Sequence, residues 1–350
     1  MHKIAVGLCV SPNQRYIMEA IKCCFACANF LGCRTAVSRR IAFSPPRPSS
    51  YTIIQRDGKT HLVHVDDRGS LIFPVEVPWL TTVLTVLVTA RGSRIPVLYL
   101  QHDEAEFTII YSHGNSTDIG QVRGSVIDLS FHLKVNILLF EYTGYGASSG
   151  KPSEEDTYAD IRAAHDYATL QLGIPWNKII LYGQSLGSGP AVDLASERAV
   201  AGLILHSPFA SGLSLFSDEL QVTPTYDLYR NYDKLRYIKS PTFIIHGLDD
   251  RVVPVRHGKW LEKSLHFPWP AWWVPEADHN NIEVKFRREY FEHLKDFVAA
   301  VVRIQRYFSS ENDMWDTLCP YSRQIPVQEL PQFVIAWPDR DEPVLEDLTS

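Results

Sequence analysis

The sequence predicts an α/β fold, a mostly parallel central sheet with helices on both faces, and three observations predict it. From residue 107 onward, short apolar β-type runs alternate with Gly-containing turns and amphipathic helical stretches, the order expected of parallel strands joined by helical crossovers. A chain of 350 residues that is 45% hydrophobic and 21% charged can bury a large core, which excludes a disordered, collagenous or minimal disulfide-held protein. A Gly-x-Ser-x-Gly pentapeptide, 183–187, lies between an apolar strand and a helix, where such a sheet presents reactive side chains.

The ends differ from the middle. Residues 1–50 hold seven basic side chains against Glu19 alone, and residues 310–350 hold nine acids against Arg323 and Arg340. The expected organisation is a cysteine-rich basic membrane-tethering segment at 1–50, a catalytic domain at 51–308 and an acidic extension at 309–350. No basic stripe of the kind nucleic-acid binding requires runs through the middle, so nucleic acid is not an expected partner.

Five of the six cysteines, Cys9, Cys23, Cys24, Cys27 and Cys33, precede residue 34, and the sixth is Cys319. A core without cysteines points to a reducing compartment. Cys24 and Cys27 have a Cys-x-x-Cys spacing, but no second cysteine pair accompanies them, so no metal is expected. The stretch 16–33 is apolar but broken by Glu19, Lys22 and Asn29, which disfavours a spanning helix. Cysteines in such a stretch, followed by Arg34, Arg39 and Arg40, fit S-acylation combined with attraction to anionic lipid. The alternatives are a cleaved signal peptide, a mitochondrial presequence, or cysteines with no special role.

After the Pro-rich joint 44–48, β-type runs at 51–55, 61–65, 83–88 and 96–100 are expected to pair antiparallel. Strands follow at 108–111, 136–142, 178–182, 202–206, 242–246 and 271–274. A helix is expected at 154–172, because Ile161, Ala164, His165, Ala168 and Leu172 share a face and Ser153 with Glu154, Glu155 and Asp156 supplies a cap and first-turn acids. The segment 282–308 closes the core with a helix, and 208–241 forms a short lid. Trp269, Trp272 and Trp273 are expected to pack rather than face a membrane.

The chemistry follows from chain order. Ser185, in the pentapeptide, is the candidate nucleophile, and such a nucleophile needs an acid and then a base later in the chain. Asp250 follows strand 242–246 and is preferred over its neighbour Asp249. His279 follows strand 271–274 and is the candidate base; His206 and His246 are read as structural. The oxyanion requires two preorganised N–H donors, expected from Leu186 and from Asn115 in the turn after strand 108–111, with His113 holding that turn. The string 144–152 resembles a phosphate loop but has Tyr145 and Pro152 where that loop needs Gly and Ser or Thr, so it is read as a turn at the pocket mouth. No cofactor is expected.

Several strings are more specific. Ser112-His113-Gly114-Asn115, Asp118-Ile119-Gly120-Gln121, Glu141-Tyr142-Thr143-Gly144-Tyr145-Gly146-Ala147-Ser148-Ser149-Gly150-Lys151-Pro152-Ser153, Tyr158-Ala159-Asp160-Ile161, Leu181-Tyr182-Gly183-Gln184-Ser185 and Leu205-His206-Ser207-Pro208 resemble the α/β-hydrolase domain-containing protein seventeen family of the α/β-hydrolase superfamily. The likeness runs from about residue 84 to 297. It implies the α/β-hydrolase fold and a membrane-tethered serine hydrolase that removes palmitate from S-acylated membrane-associated proteins. It also implies palmitoylation of Cys23, Cys24, Cys27 and Cys33 and residence on the cytoplasmic face of plasma or endosomal membranes. Three features depart from the family pattern: about twenty residues precede the cysteine cluster, Asp278 replaces a Gly before His279, and the acidic extension has no counterpart. A lipid esterase or monoacylglycerol lipase would use the same machinery, and a catalytically silent membrane-docked scaffold is the alternative of another class.

Overall fold

The computed structural model describes residues 39–310 apart from 57, 67 and 217–223. Cys23, Cys24, Cys27 and Cys33 and all of the acidic extension past residue 310 lie outside the described residues. Among the described residues, eleven strands divide between two sheets. The β-type runs after the Pro-rich joint separate. β1 (Tyr51–Arg56), β2 (Lys59–Val65) and β3 (Leu71–Ile72) form a small antiparallel sheet, whereas β4 (Leu80–Val88) and β5 (Arg94–His102) enter the main one. β3 has only two residues, too short for an alternating pattern to mark it.

The main sheet continues with β6 (Thr108–Ser112), β7 (Asn136–Phe140), β8 (Ile179–Gln184), β9 (Gly202–His206), β10 (Thr242–Gly247) and β11 (Trp272–Val274). Its order is β11-β10-β9-β8-β6-β7-β5-β4, with β4–β5 and β5–β7 antiparallel and the other pairs parallel. Among the described residues, the helices that follow β1 are α1 (Ile119–Leu133), α2 (Glu154–Asp166), α3 (Ser188–Glu197), α4 (Asn231–Lys234), α5 (Arg256–Lys263), α6 (Ile282–Lys285) and α7 (Arg287–Ser310).

Strand side chains alternate between the two faces, as the two-residue period requires. Ile110, Leu138, Leu181 and Leu203 meet Ile161 of α2, Val192 of α3 and Leu261 of α5, whereas Ile109, Ile137, Ile180 and Ile204 meet Val126 of α1 and Leu294 and Phe297 of α7. Ser153 caps α2 by accepting from the Asp156 N–H, and Asp118 caps α1 by accepting from the Gln121 N–H. The helix expected at 154–172 loosens into a π turn at Tyr167–Gln171, and the closing helix breaks at Phe286. The three tryptophans pack: Trp269 is edge-on to Phe297, Trp272 lies over His293, and the Lys259 ammonium sits over Trp273.

Two sequence assignments shift. Residues 39–50, read as tether, lie on the folded body, with Phe43 buried and Ile41 and Ala42 on the wall of its cavity. The 144–152 turn contributes no residue to that wall; it stands behind the cavity, where Tyr145 is buried. Among the described residues, no helix is long and apolar enough to cross a membrane.

Candidate active site

Ser185 follows β8 at φ 50°, a left-handed conformation costly for a residue with a Cβ. Close packing over-determines that turn. A Cβ on Gly187 would fall 2.0 Å from the Ser112 carbonyl oxygen, and one on Gly183 would fall 2.6 Å from the Gly187 carbonyl oxygen. Glycine at both positions lets the start of α3 press against β6 and its turn, leaving Ser185 half-buried above the sheet.

Asp250 and His279 follow the carboxyl ends of β10 and β11, so sheet order brings residues from three crossovers to one point. Ser185 Oγ lies 2.9 Å from His279 Nε2, and His279 Nδ1 lies 2.7 Å from Asp250 Oδ2. A carboxylate only accepts, so the imidazole proton belongs on Nδ1, leaving the Nε2 lone pair to receive the Ser185 hydroxyl proton. Asp250 Oδ1 accepts from the Val252 and Val253 N–H groups at 2.9 and 2.8 Å. Burial alone would raise this carboxyl, but hydrogen bonds from His246 and His279, the His279 charge and the Val253 amide hold it well below the usual carboxylate range.

Asp249 is exposed and makes no contact with His279, whereas Asp250 does. Asp278 is also exposed; its carboxylate accepts from the Asn280 N–H and does not approach the His279 ring. His246 is structural in a specific way: its Nε2–H donates to the Val253 carbonyl at 2.7 Å and lies 3.3 Å from Asp250 Oδ2, bracing the acid loop. His206 pairs with the Tyr182 hydroxyl, and burial lowers its pKa.

Gly114 abuts Ser185, and Asn115 and Leu186 line the same cavity. Among the described residues the Asn115 N–H has no acceptor, as a donor kept for an oxyanion would be. His113 is buried behind this turn, its ring between the Gly114 carbonyl and the Glu141 carboxylate at 2.9 Å each. Glu141 also accepts from the Ile119 N–H and from the Tyr51 hydroxyl. Sequence reasoning missed Glu141 and Tyr51, whose separation of 90 residues hides their contact. A buried acid ending a strand, unusual without partners, was the available signal.

The cavity has a volume of about 610 Å³. Its lining includes the apolar side chains Phe209, Leu213, Leu215, Phe216 and Leu228 of the lid segment together with Ile41. Tyr229 anchors the lid at φ 47°: its N–H donates to Glu154 Oε1 at 2.6 Å, and its hydroxyl lies 2.9 Å from Thr157 Oγ1. The same lining holds the polar residues Gln121, Ser125, Gln184 and Glu283. The cavity can therefore offer an apolar acyl chain contacts with aliphatic and aromatic side chains and a polar leaving group contacts with carboxamides, a hydroxyl and a carboxylate. Among the described residues no cluster of His, Cys, Asp and Glu could hold a metal ion.

Residues 108–229 match the family model for the alpha/beta hydrolase fold. The chain is 37% identical over 279 residues to alpha/beta hydrolase domain-containing protein 17B of Xenopus laevis, spanning 79% of this chain and 95% of that one. It is 36% identical over 279 residues to the human protein of the same name, with the same coverage. It is 37% identical over 288 residues to alpha/beta hydrolase domain-containing protein aho-3 of Caenorhabditis elegans, spanning 81% and 83% of the two chains. The Pyrococcus furiosus esterase Pf2001 superposes with a TM-score of 0.55 at 19% identity, over 65% of this chain and 96% of that structure, a likeness of fold.

Proposed function

This chain belongs to the α/β-hydrolase domain-containing protein 17 family and is a hydrolase, and from that premise we propose that it cleaves long-chain acyl thioesters from S-acylated, membrane-associated proteins. The observation that carries the proposal is the hydrogen-bonded series Ser185–His279–Asp250, with Ser185 and His279 on the wall of a cavity lined by both apolar and polar side chains.

Ser185 Oγ attacks the thioester carbonyl carbon while His279 Nε2 takes the hydroxyl proton. Asp250 holds the ring and stabilises the imidazolium. The amides of Leu186 and Asn115 hold the tetrahedral oxyanion. As that oxyanion collapses, the C–S bond breaks and the cysteine sulfur leaves as thiolate; with a thiol pKa of about 8.5 it needs little help from His279, which returns its proton to the released sulfur or to solvent. Water then attacks the acyl-Ser185 ester with His279 as base, giving the fatty acid and restoring Ser185.

In this reading Cys23, Cys24, Cys27 and Cys33 are S-acylated and hold the enzyme on the cytoplasmic face of a membrane, where its substrates reside. The apolar side chains of the cavity wall support recognition of a fatty chain, since each methylene removed from water contributes about 0.8 kcal/mol. The deciding experiment compares turnover of a palmitoyl-cysteine peptide with that of a monoacylglycerol, alongside fluorophosphonate labelling of Ser185. Preference for the thioester is expected. Preference for the glycerol ester would replace this reading with a lipid esterase, and failure to label with no turnover would leave a scaffold.

A further inference from the structure

The oxyanion turn is held largely by the segment that leads in from the N-terminal cysteines. The Asn115 carboxamide bridges two points of that segment: its Nδ2 donates to the Ala42 carbonyl at 2.9 Å, and its Oδ1 accepts from the Ser44 N–H at 2.9 Å. The buried Tyr145 hydroxyl completes the set, donating to Asn115 Oδ1 at 2.6 Å and accepting from the Ser44 N–H at 3.2 Å. Three residues on, the buried Asp118 accepts from the Ser50 N–H at 2.8 Å and from the Ser49 hydroxyl at 3.3 Å. Tyr51 then donates to Glu141, whose other oxygen meets His113. Asn115 and Asp118 of the 113–118 turn are therefore tied directly to 42–51 and His113 is tied to it through Glu141, while the His113 carbonyl is held separately by the Tyr142 hydroxyl at 2.7 Å. The same segment reaches the lid, where the Phe43 ring lies edge-on to Tyr229.

We propose that residues 42–51 are a positioning strap for the Asn115 amide, so that the chain joining the tether to the hydrolase body sets the geometry of the oxyanion site. The proposal rests on the serine-hydrolase reading above. The physical ground is that a loop amide contributes to catalysis only if it is already aimed, and a misplacement of about 1 Å can cost roughly 100-fold in rate. Asn115 lines the cavity, its backbone N–H has no acceptor among the described residues, and its side chain is spent on the strap. Ala42, Ser44, Ser49, Ser50 and Tyr51 are positioning residues, and Asn115 is both the donor and the handle by which they hold it.

Two variants of the full chain cut this link from opposite sides. Asn115→Ala keeps the backbone N–H but removes all the carboxamide bonds; Ser44→Pro keeps Asn115 and removes the strap's N–H donor. With a soluble acyl thioester, each is expected to lower kcat by about 10-fold to 100-fold with KM within about 2-fold. Affinity for a boronic acid that mimics the tetrahedral intermediate should fall by the same factor, while affinity for the fatty-acid product stays within about 2-fold. Because both changes break one linkage, the double variant should be little worse than the weaker single one. Rates are taken per active site, titrated with a fluorophosphonate, so a misfolded fraction does not enter kcat.

A wild-type kcat per site in Asn115→Ala would overturn the strap while leaving the hydrolase reading intact. A loss shared equally by boronate and product binding would also overturn it, since that marks a collapsed site rather than a displaced donor. Multiplying effects in the double variant would show two independent defects and overturn it too. Ser185→Ala, run in parallel, separates the two readings: if it keeps full turnover, the serine mechanism itself has failed.

Discussion

Replacing Asp250 with Asn tests the site's electrostatics with almost no change of shape. The carboxylate has four donors around it: the Val252 and Val253 amides at one oxygen, and His279 with His246 near the other. A carboxamide offers one accepting oxygen. The two backbone N–H groups cannot turn away, so the amide oxygen must face them and its NH₂ must face His279 Nδ1. Nδ1 then has to accept, the ring proton moves to Nε2, and Nε2 can no longer take the Ser185 proton. This is the wrong-tautomer effect, which typically lowers kcat by about 10⁴-fold, or about 5.5 kcal/mol of barrier. The assay is single-turnover acylation with a soluble palmitoyl-type thioester, with thermal unfolding to establish that the variant folds. Asp249→Asn, at an exposed position, should stay within about 3-fold of wild type. A folded Asp250→Asn within 10-fold of wild type, or an equal loss in Asp249→Asn, would refute the assignment.

Ser185→Ala should abolish acyl-enzyme formation at a cost of about 10⁴-fold to 10⁶-fold and leave the unfolding temperature nearly unchanged; fluorophosphonate labelling that persisted would point to another nucleophile. Gly187→Ala drives a methyl into the Ser112 backbone carbonyl, which cannot swing aside, and should cost about 3 kcal/mol or more, a fall in Tm of at least roughly 4–5 °C by calorimetry. Burial, aided by the Arg256 charge, pushes His257 down to about 3, so this group stays neutral in the fold while the unfolded chain takes up its proton from about pH 6.5. Stability is then lost as pH falls from about 6.5 towards 3, this histidine contributing a slope of up to about 1.4 kcal/mol per pH unit, and His257→Gln should flatten urea midpoints across that window. Replacing Cys23, Cys24, Cys27 and Cys33 with Ser should release the protein from membranes, because a palmitoyl chain contributes roughly 12 kcal/mol and each basic residue only about 1 kcal/mol. Activity on a soluble thioester should survive that change, and a variant still found wholly in the membrane fraction would place the anchor elsewhere.

The sequence by itself determined the sheet, the elbow and the order of Ser185, Asp250 and His279. Those features are written in local signals: two-residue and 3.6-residue hydrophobic periods, glycines at a forced turn, and polar residues just past the carboxyl ends of strands. The neighbouring acids at 249 and 250 differ in placement: the Asp250 carboxylate meets His279 Nδ1, while Asp249 stays exposed. Only the tertiary structure decided what supports these groups. The bonds from Ser44 to Asn115, from Tyr51 to Glu141 and from His113 to Glu141 span 71, 90 and 28 residues, and no periodicity encodes them. The same holds for the boundary at residue 50. Composition marks 1–50 as one basic stretch, yet Phe43 is buried and Ile41 and Ala42 face the cavity, because burial depends on what the rest of the chain brings alongside. A local pattern can specify a strand, a helix or a sharp turn, since those form among neighbours in sequence. The aim of an N–H group and the boundary of a pocket are set by contacts that exist only once distant segments have packed.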